Sequence, residues 1–265
     1  MISFSPIEVG SKNPGAIRRI NILGVHVSAI NMDQALAAVH HWVANRESRY
    51  VCVTPAHVIM DCYWDPQLRP ILNNSGLTTP DGMSAVWLLK WHGFRHASRV
   101  CGTDLMREVF RISESKGWRH FLYGGAPGVA DALAAQLQSR FPKIRIAGSY
   151  SPPFRPLAED EDRAVIERIN ASRADIVWIG ISSPRQDAWM AEHIGKINAP
   201  VMFGVGAAFD FLSGRKRQAP RWVQRAGMEW LFRLASEPRR LWRRYAQYPL
   251  FVVLVVLQAA GITRY

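Results

Sequence analysis

Between residues 20 and 210, short apolar runs alternate with amphipathic stretches of helical period, and this alternation constrains the fold more than any other feature. It favours a mostly parallel sheet covered by helices on both faces, because successive parallel strands must be joined by crossovers. Right-handed crossovers make this a Rossmann-like, doubly wound α/β layer. The predicted strands are Ile20–Val25, Tyr50–Thr54, Trp118–Tyr123, Ile144–Ala147, Asp175–Ile179 and Val201–Val205, and the predicted helices are Met32–Ala44, Pro127–Arg140, Leu157–Ser172 and Arg185–Ile194.

The pattern changes after about residue 210. Strand patterns end, and the stretches Pro220–Ala235 and Arg239–Tyr245 are predicted helices rich in arginine and tryptophan. Eight consecutive apolar residues, Leu250–Leu257, follow Pro249. We therefore predict a Rossmann-like core in residues 1–212 and a basic, helical C-terminal appendage in residues 213–265. A chain of 265 residues is long enough for one large domain with such an appendage.

The positive charge of the chain is concentrated in the appendage. The whole chain has 33 Lys and Arg against 21 Asp and Glu, a net charge of +12. Residues 213–245 alone hold ten basic and two acidic residues, a net charge of +8. Such a block favours phosphate-bearing partners: nucleic acid, an anionic membrane surface or a phosphorylated ligand. A nucleic-acid-binding protein is the alternative hypothesis, but no helix-turn-helix or RNA-binding signature accompanies the block, and the apolar run 250–257 suits lipid better.

Several other classes of protein are disfavoured by the sequence. Three cysteines form neither a disulfide framework nor a C-x-x-C pair, so we expect a reducing compartment. Residues 1–17 lack the pattern of a signal peptide, and no uninterrupted apolar window reaches 18 residues, so we expect a cytoplasmic protein. The histidines show no metal-ligand spacing, and there is neither a Walker loop nor a G-x-S-x-G elbow. We therefore expect neither a metal nor a cofactor.

The turns that follow predicted strands are the candidate binding sites, since ligands of parallel sheets lie beyond the carboxyl ends of the strands. In the turn Y-G-G-A-P-G, Gly124 and Gly125 would let a phosphate approach the backbone at a helix N-terminus, although a tight turn alone would also explain them. Gly206 closes a second turn, G-V-G, but the acidic residue of a dinucleotide site is not evident, which disfavours a dehydrogenase. Asp81, in T-P-D-G, is by its position alone more often a helix cap than a catalytic residue.

Taken in order, these turns and the tail form a pattern that resembles the WecG/TagA/CpsF glycosyltransferases, glycosyltransferase family 26, over about residues 20 to 258. The motifs are T-P-A-H (54–57), T-P-D-G-M (79–83), R-V-C-G-T-D-L (99–105), Y-G-G-A-P-G-V (123–129), G-I-S-S-P-R-Q-D (180–187), G-V-G-A-A-F-D-F-L-S-G (204–214), R-Q-A-P-R-W (217–222) and G-M-E-W-L-F-R-L-A-S-E-P-R-R-L-W-R-R-Y (227–245).

The resemblance implies an inverting, metal-independent transfer of a sugar from a UDP-sugar to a polyprenyl-diphosphate-linked saccharide at the cytoplasmic membrane face. UDP-N-acetylmannosamine, UDP-N-acetylmannosaminuronic acid and UDP-glucose all fit as donors. Asp81 corresponds to the proposed general base, and Thr54 lies in the same pocket of the family. Arg99 and Gln186 match two further motif positions, whereas Ala56 stands where the family commonly has Asn, so one polar contact is missing or supplied elsewhere.

The expected chemistry agrees with these residue types. An inverting transfer needs one carboxylate near the acceptor hydroxyl, and cations or N–H groups near the departing diphosphate. Among the appendage arginines, Arg221 and Arg225 are the first candidates to meet the diphosphates. The apolar run 250–257 is expected to insert into lipid, to pack on the core or to form a homo-oligomer interface, and the basic block predicts attraction to an anionic membrane surface.

Overall fold

The structure, a computed structural model, describes residues 17–265. The signal-peptide prediction concerns residues 1–17, and all of these except residue 17 lie outside the described residues. The strands are β1 (Arg19–Ile22), β2 (Val25–Ser28), β3 (Arg49–Thr54), β4 (Leu77–Pro80), β5 (Arg119–Gly124), β6 (Arg145–Tyr150), β7 (Ile176–Gly180) and β8 (Val201–Gly204). The helices are α1 (Met32–Asn45), α2 (Ala56–Trp64), α3 (Leu68–Asn73), α4 (Met83–Trp91), α5 (Gly102–Lys116), α6 (Val129–Arg140), α7 (Glu159–Ala171), α8 (Arg185–His193), α9 (Ala208–Leu212), α10 (Arg221–Arg225), α11 (Glu229–Ser236), α12 (Pro238–Tyr245) and α13 (Tyr248–Ala259).

Six strands form a parallel sheet in the order β4-β3-β8-β7-β5-β6, flanked by helices. The predicted Rossmann-like α/β class is therefore confirmed. The central strand β7 pairs with β5 on one side, where Gly124 lies opposite Gly180, and with β8 on the other, where Trp178 lies opposite Phe203. Strand order departs from sequence order because helices carry the chain across the sheet between parallel neighbours.

Several elements differ from the sequence-based expectation, including the helices α2, α3 and α4, which were not predicted. The predicted strand Ile20–Val25 is an antiparallel hairpin of β1 and β2, which turns at Leu23 and Gly24 with positive φ. Both of its strands bury apolar side chains, so the apolar run in the sequence continues through the turn and reads as a single strand. Strand β4 was not predicted because its four residues, LTTP, are too few and too polar to stand out. The predicted helix Pro220–Ala235 is interrupted at Gly227, where φ is +73°.

The chain divides into two compact units that interleave along the sequence. Of the described residues, unit 1 comprises 17–32, Val53–Cys101 and Gln218–Tyr265, and unit 2 comprises Asp33–Cys52 and Gly102–Arg217. The predicted boundary at residue 212 separates a core from an appendage along the sequence, whereas each of the two units is built from several segments. The boundary stays a prediction.

An aromatic cluster fills the core of unit 2. The fully buried Trp178 ring stacks on Phe203, with 4.4 Å between centroids, and on Phe110 at 5.5 Å. The Trp178 indole N–H donates to Nδ1 of the buried His120, at 3.1 Å. Burial lowers the pKa of His120 to about 3, so this imidazole is a neutral acceptor at neutral pH.

In unit 1, helix α13 is fastened to the β1–β2 hairpin. The Gln258 side chain accepts from the Leu23 backbone N–H at 2.9 Å and donates to the Asn21 carbonyl at 3.1 Å. Phe251 and Leu254 on the same helix are buried. Between residues 17 and 265, no helix has both the length and the apolar character needed to cross a bilayer.

Candidate active site

Unit 1 contains a cavity of about 740 Å³ that has a polar end and an aromatic wall. The turns after β3 and β4 supply its polar floor, together with Arg99, and helices α4 and α10 to α13 supply the rest. Tryptophan, methionine, leucine and phenylalanine side chains make up the wall, since Met83, Trp87, Trp230, Leu234, Trp242 and Phe251 all line it. Such a cavity suits a ligand with a polar head and an apolar tail.

Asp81 lies at the polar end because it stands in the short turn between the end of β4 at Pro80 and the start of α4 at Met83. Gly82 between them has a φ of +133°, a conformation that glycine adopts without strain. The Asp81 side chain is 22% exposed, so a substrate can reach its carboxylate. This carboxylate can therefore accept a proton from a bound hydroxyl group.

Arg99 connects Asp81 to the appendage. Its Nη2 donates to Asp81 Oδ1 at 3.3 Å and to Glu229 Oε2 at 2.5 Å. Its Nη1 donates to Gln224 Oε1 at 2.8 Å. Burial raises the pKa of Glu229, against the opposing effect of the Arg99 and Arg233 charges. One guanidinium thus donates hydrogen bonds to two carboxylates within the same site.

His57 brings a buried imidazole to the wall of the cavity, next to Ala56. Only 6% of His57 is exposed, and its Nδ1 has no hydrogen-bond partner in the part of the chain that the structure describes. Burial lowers its pKa well below the usual value, and the charges of Arg244 and Arg233 lower it further. The ring is neutral and offers one donor and one acceptor nitrogen.

The remaining predicted residues of unit 1 lie around this cavity in different ways. Thr54 is fully buried at the end of β3, one residue before the lining begins at Pro55. Arg221 and Arg225 on α10 are exposed and do not line the cavity, whereas the appendage residues Gln224 and Arg233 do. The roles of these predicted residues stay predictions.

Sequence reasoning missed Glu229, Gln224, Arg233 and His57. The sequence did hold one signal for Glu229, since it is one of only two acids in the basic block 213–245. A carboxylate retained among ten cations is a candidate partner for a specific arginine.

The predicted nucleotide-binding residues lie in unit 2. A Cβ on Gly124 would lie 2.6 Å from the Gly180 backbone, and one on Gly125 would lie 2.8 Å from the Val129 side chain. The Gln186 side chain is buried, donates to Ser183 Oγ at 3.0 Å and lies 3.5 Å from where a Cβ on Gly206 would be. Packing alone accounts for glycine at position 124, so its phosphate-binding role stays a prediction.

Comparison with known proteins assigns this architecture to a family. Residues 20–264 match the model of the glycosyl transferase WecG/TagA/CpsF family. An N-acetylglucosaminyldiphosphoundecaprenol N-acetyl-beta-D-mannosaminyltransferase of Bacillus subtilis is 26% identical, with 82% of each chain covered. A protein of the same name from Bacillus spizizenii is 27% identical, with 81% of each chain covered. The predicted resemblance and the predicted activity class, a glycosyltransferase, are thereby confirmed. The chain belongs to the WecG/TagA/CpsF family of glycosyl transferases.

Proposed function

We propose that this enzyme transfers a sugar from a UDP-sugar to a polyprenyl-diphosphate-linked saccharide, with inversion and without a metal ion. The observation that carries the proposal is the cavity in which the Asp81 carboxylate faces a wall of tryptophan and aliphatic side chains. A sugar linked through a diphosphate to a long isoprenoid has the matching polar head and apolar tail. The relatives are named for an acceptor of this kind, N-acetylglucosaminyldiphosphoundecaprenol.

In the proposed reaction, Asp81 accepts the proton of the acceptor hydroxyl. The hydroxyl oxygen forms a bond to the anomeric carbon of the donor sugar, and the bond from that carbon to the UDP oxygen breaks. The electron pair leaves with UDP, whose negative charge must be met by cations and N–H groups. We assign the donor diphosphate to the Gly124–Gly125 turn, with Gln186 and Gly206 as further contacts.

The donor sugar is proposed from the relatives. Their name specifies an N-acetylmannosaminyl group, which makes UDP-N-acetylmannosamine the first donor to test. UDP-N-acetylmannosaminuronic acid and UDP-glucose are the other two candidate donors. A uronate donor would require a further cation beside the sugar.

We further propose that the enzyme acts as a peripheral protein at the cytoplasmic face of the membrane. The appendage exposes Trp222 and Trp242, and helix α13 exposes Val252, Val253 and Val256. Exposed tryptophan and aliphatic side chains beside a block of +8 are typical of an element that lies in the membrane interface. Each basic side chain near an anionic leaflet contributes about 1 kcal/mol of attraction.

The Asp81→Asn variant tests the proposed function. We expect kcat to fall about 100-fold or more, because the carboxamide cannot take the proton. The assay measures UDP release with a short-chain prenyl-diphosphate sugar as acceptor and each of the three donors in turn, with and without EDTA. Donor affinity, measured by calorimetry, is expected to change little.

Asp65→Asn is the matched control, because Asp65 is exposed, and its side chain accepts the Gln67 backbone N–H just beyond the end of α2. An Asp81→Asn enzyme with wild-type turnover would remove Asp81 from the mechanism. Loss of transfer in EDTA, restored by Mg²⁺ or Mn²⁺, would contradict metal independence.

A further inference from the structure

Three charged side chains meet at the polar end of the cavity, and only two of them are accounted for by the proposed function. Asp81 is the proposed base, and Arg99 is its cationic neighbour. Glu229 comes from α11, about 130 residues further along the chain than Arg99, yet it lies closer to the guanidinium than Asp81 does, at 2.5 Å against 3.3 Å. All three side chains are between 16% and 22% exposed.

A second appendage residue fixes the orientation of Arg99. Gln224 accepts from Nη1 through Oε1, while its own Nε2 donates to the Ala219 carbonyl at 2.7 Å. The amide is therefore held with its oxygen toward the guanidinium. Gln224 and Glu229 together turn the Arg99 fork toward the appendage, away from a paired approach to Asp81.

The orientation of Arg99 matters because a guanidinium and a carboxylate prefer two parallel hydrogen bonds. If Arg99 paired in this way with Asp81, both carboxylate oxygens would be occupied and a proton would be taken up less readily. The observed geometry leaves Asp81 with one long contact to Arg99, through Oδ1. Its second oxygen is then available to the acceptor hydroxyl.

We propose that Glu229 is a positioning residue that acts through Arg99: it draws the guanidinium away from Asp81 and so keeps the Asp81 carboxylate able to accept a proton. The inference rests on the proposed function of Asp81. The physical basis of the inference is that the Asp81 and Glu229 carboxylates compete for the Arg99 guanidinium. The cost of burying Glu229, seen in its raised pKa, is only partly offset by the charges of Arg99 and Arg233.

Glu229→Gln tests this proposal because glutamine keeps the size of the side chain and one oxygen for Arg99 but removes the competing charge. We expect kcat to fall roughly tenfold or more, the scale of a lost charge-assisted hydrogen bond. The KM for the UDP-sugar is expected to stay within about twofold. Glu229→Asp keeps the charge and is expected to recover much of the lost kcat. Glu237→Gln is the matched control, since it removes the other acid of the block, which pairs with Arg240 at a more exposed position.

The double variant separates a positioning role from a structural one. If Glu229 acts through Arg99, then Glu229→Gln has little further effect on kcat in an Arg99→Gln enzyme. A loss of the same size in both backgrounds overturns the inference, as does wild-type kcat in Glu229→Gln or a Glu229→Asp enzyme no better than Glu229→Gln. Undiminished turnover in Asp81→Asn would instead overturn the proposed function, whatever the Glu229 variants show.

Discussion

Gly124 and Gly128 belong to one turn, yet they are constrained by different forces. Gly124 faces the backbone of Gly180, where two neighbouring strands end side by side. Gly128 also has a positive φ, of +80°, but beyond its chain neighbours a Cβ there would meet no atom of residues 17–265 within 4 Å. The first position is fixed by packing as well as by conformation, and the second by conformation alone.

Replacing each of these glycines by alanine should therefore destabilise the protein to different degrees. We expect Gly124→Ala to cost about 3 kcal/mol or more, because its methyl group would lie 2.6 Å from backbone atoms. Gly128→Ala should cost only about 1 kcal/mol, the strain of a left-handed alanine. Urea unfolding curves of the two variants measure both values. Equal losses would show that close packing at Gly124 is relieved by a small backbone shift.

The residues of the site could be predicted only where a local motif carries them. Asp81 and Arg99 stand in short motifs, so their candidacy could be seen in the sequence. Their pairing with Glu229 could not, because a contact across 130 residues leaves no periodicity or spacing to detect. At Ala56, where the family commonly has Asn, the sequence predicted that one polar contact is missing or supplied elsewhere. The neighbouring His57 lines the same cavity.

At the scale of elements, helix α13 shows why a uniformly apolar run is ambiguous. Residues 250–257 have no polar positions from which a buried face could be predicted. The structure separates the run into two faces: Phe251 and Leu254 are buried, and Val252, Val253 and Val256 are exposed. Packing on protein, one of the alternatives left open by the sequence, is thus true of one face, and lipid contact is proposed for the other.

The exposed face of α13 gives a prediction about membrane binding. We expect the double variant Val253→Asp/Val256→Asp to bind vesicles of anionic phospholipid about tenfold less tightly, because it puts charge where apolar surface would enter the interface. Vesicle flotation measures the change, and Phe154→Asp is the control, since Phe154 is 91% exposed in unit 2. Undiminished flotation of the double variant would assign this face to a partner protein or a second copy. A DNA gel shift at physiological salt, run alongside, is expected to show no binding.

A truncation at residue 213 would be a poorer test of the same idea. It would remove Gln258, which accepts from the Leu23 N–H, and also Gln224 and Glu229, which accept from Arg99. The loss of activity would then reflect the loss of unit 1 rather than of membrane contact.

At the scale of the whole molecule, the fold class could be predicted and the division into units could not. Alternating apolar and amphipathic segments are sufficient to indicate a parallel sheet. The grouping of residues 218–265 with residues 17–32 and 53–101 depends on contacts between distant segments, such as Gln258 with Leu23 and Glu229 with Arg99. Charge composition, which drew attention to the tail, carries no information about what the tail packs against.

The buried histidines predict how global stability depends on pH. The folded pKa of His120, about 3, lies below the value of about 6.5 in an unfolded chain, so the unfolded state binds a proton first. The stability from the neutral ring is present above pH 6.5 and is lost as the pH falls toward 3. Between pH 7.5 and pH 5 the loss from His120 is about 2 kcal/mol. His57, whose pKa is also lowered, acts in the same direction.

His120→Gln isolates this effect, because glutamine keeps an acceptor for the Trp178 indole but does not titrate. We expect its urea-unfolding free energy to change less between pH 7.5 and pH 5 than that of the wild type, by about 2 kcal/mol. Identical pH dependence in the two proteins would show that His120 has the same pKa in the folded and unfolded states.

The interleaving of the two units also sets an order of events during translation. A ribosome has delivered all of unit 2 once residue 217 has emerged, so the sheet strands β5 to β8 can pair while synthesis continues. The β1–β2 hairpin is synthesised early, but its hydrogen bond to Gln258 can form only after that residue has been made. The hydrogen bonds from Arg99 to Gln224 and Glu229 likewise form late. The proposed acid–base site and the exposed apolar helix can therefore both form only after residues 218–265 have emerged.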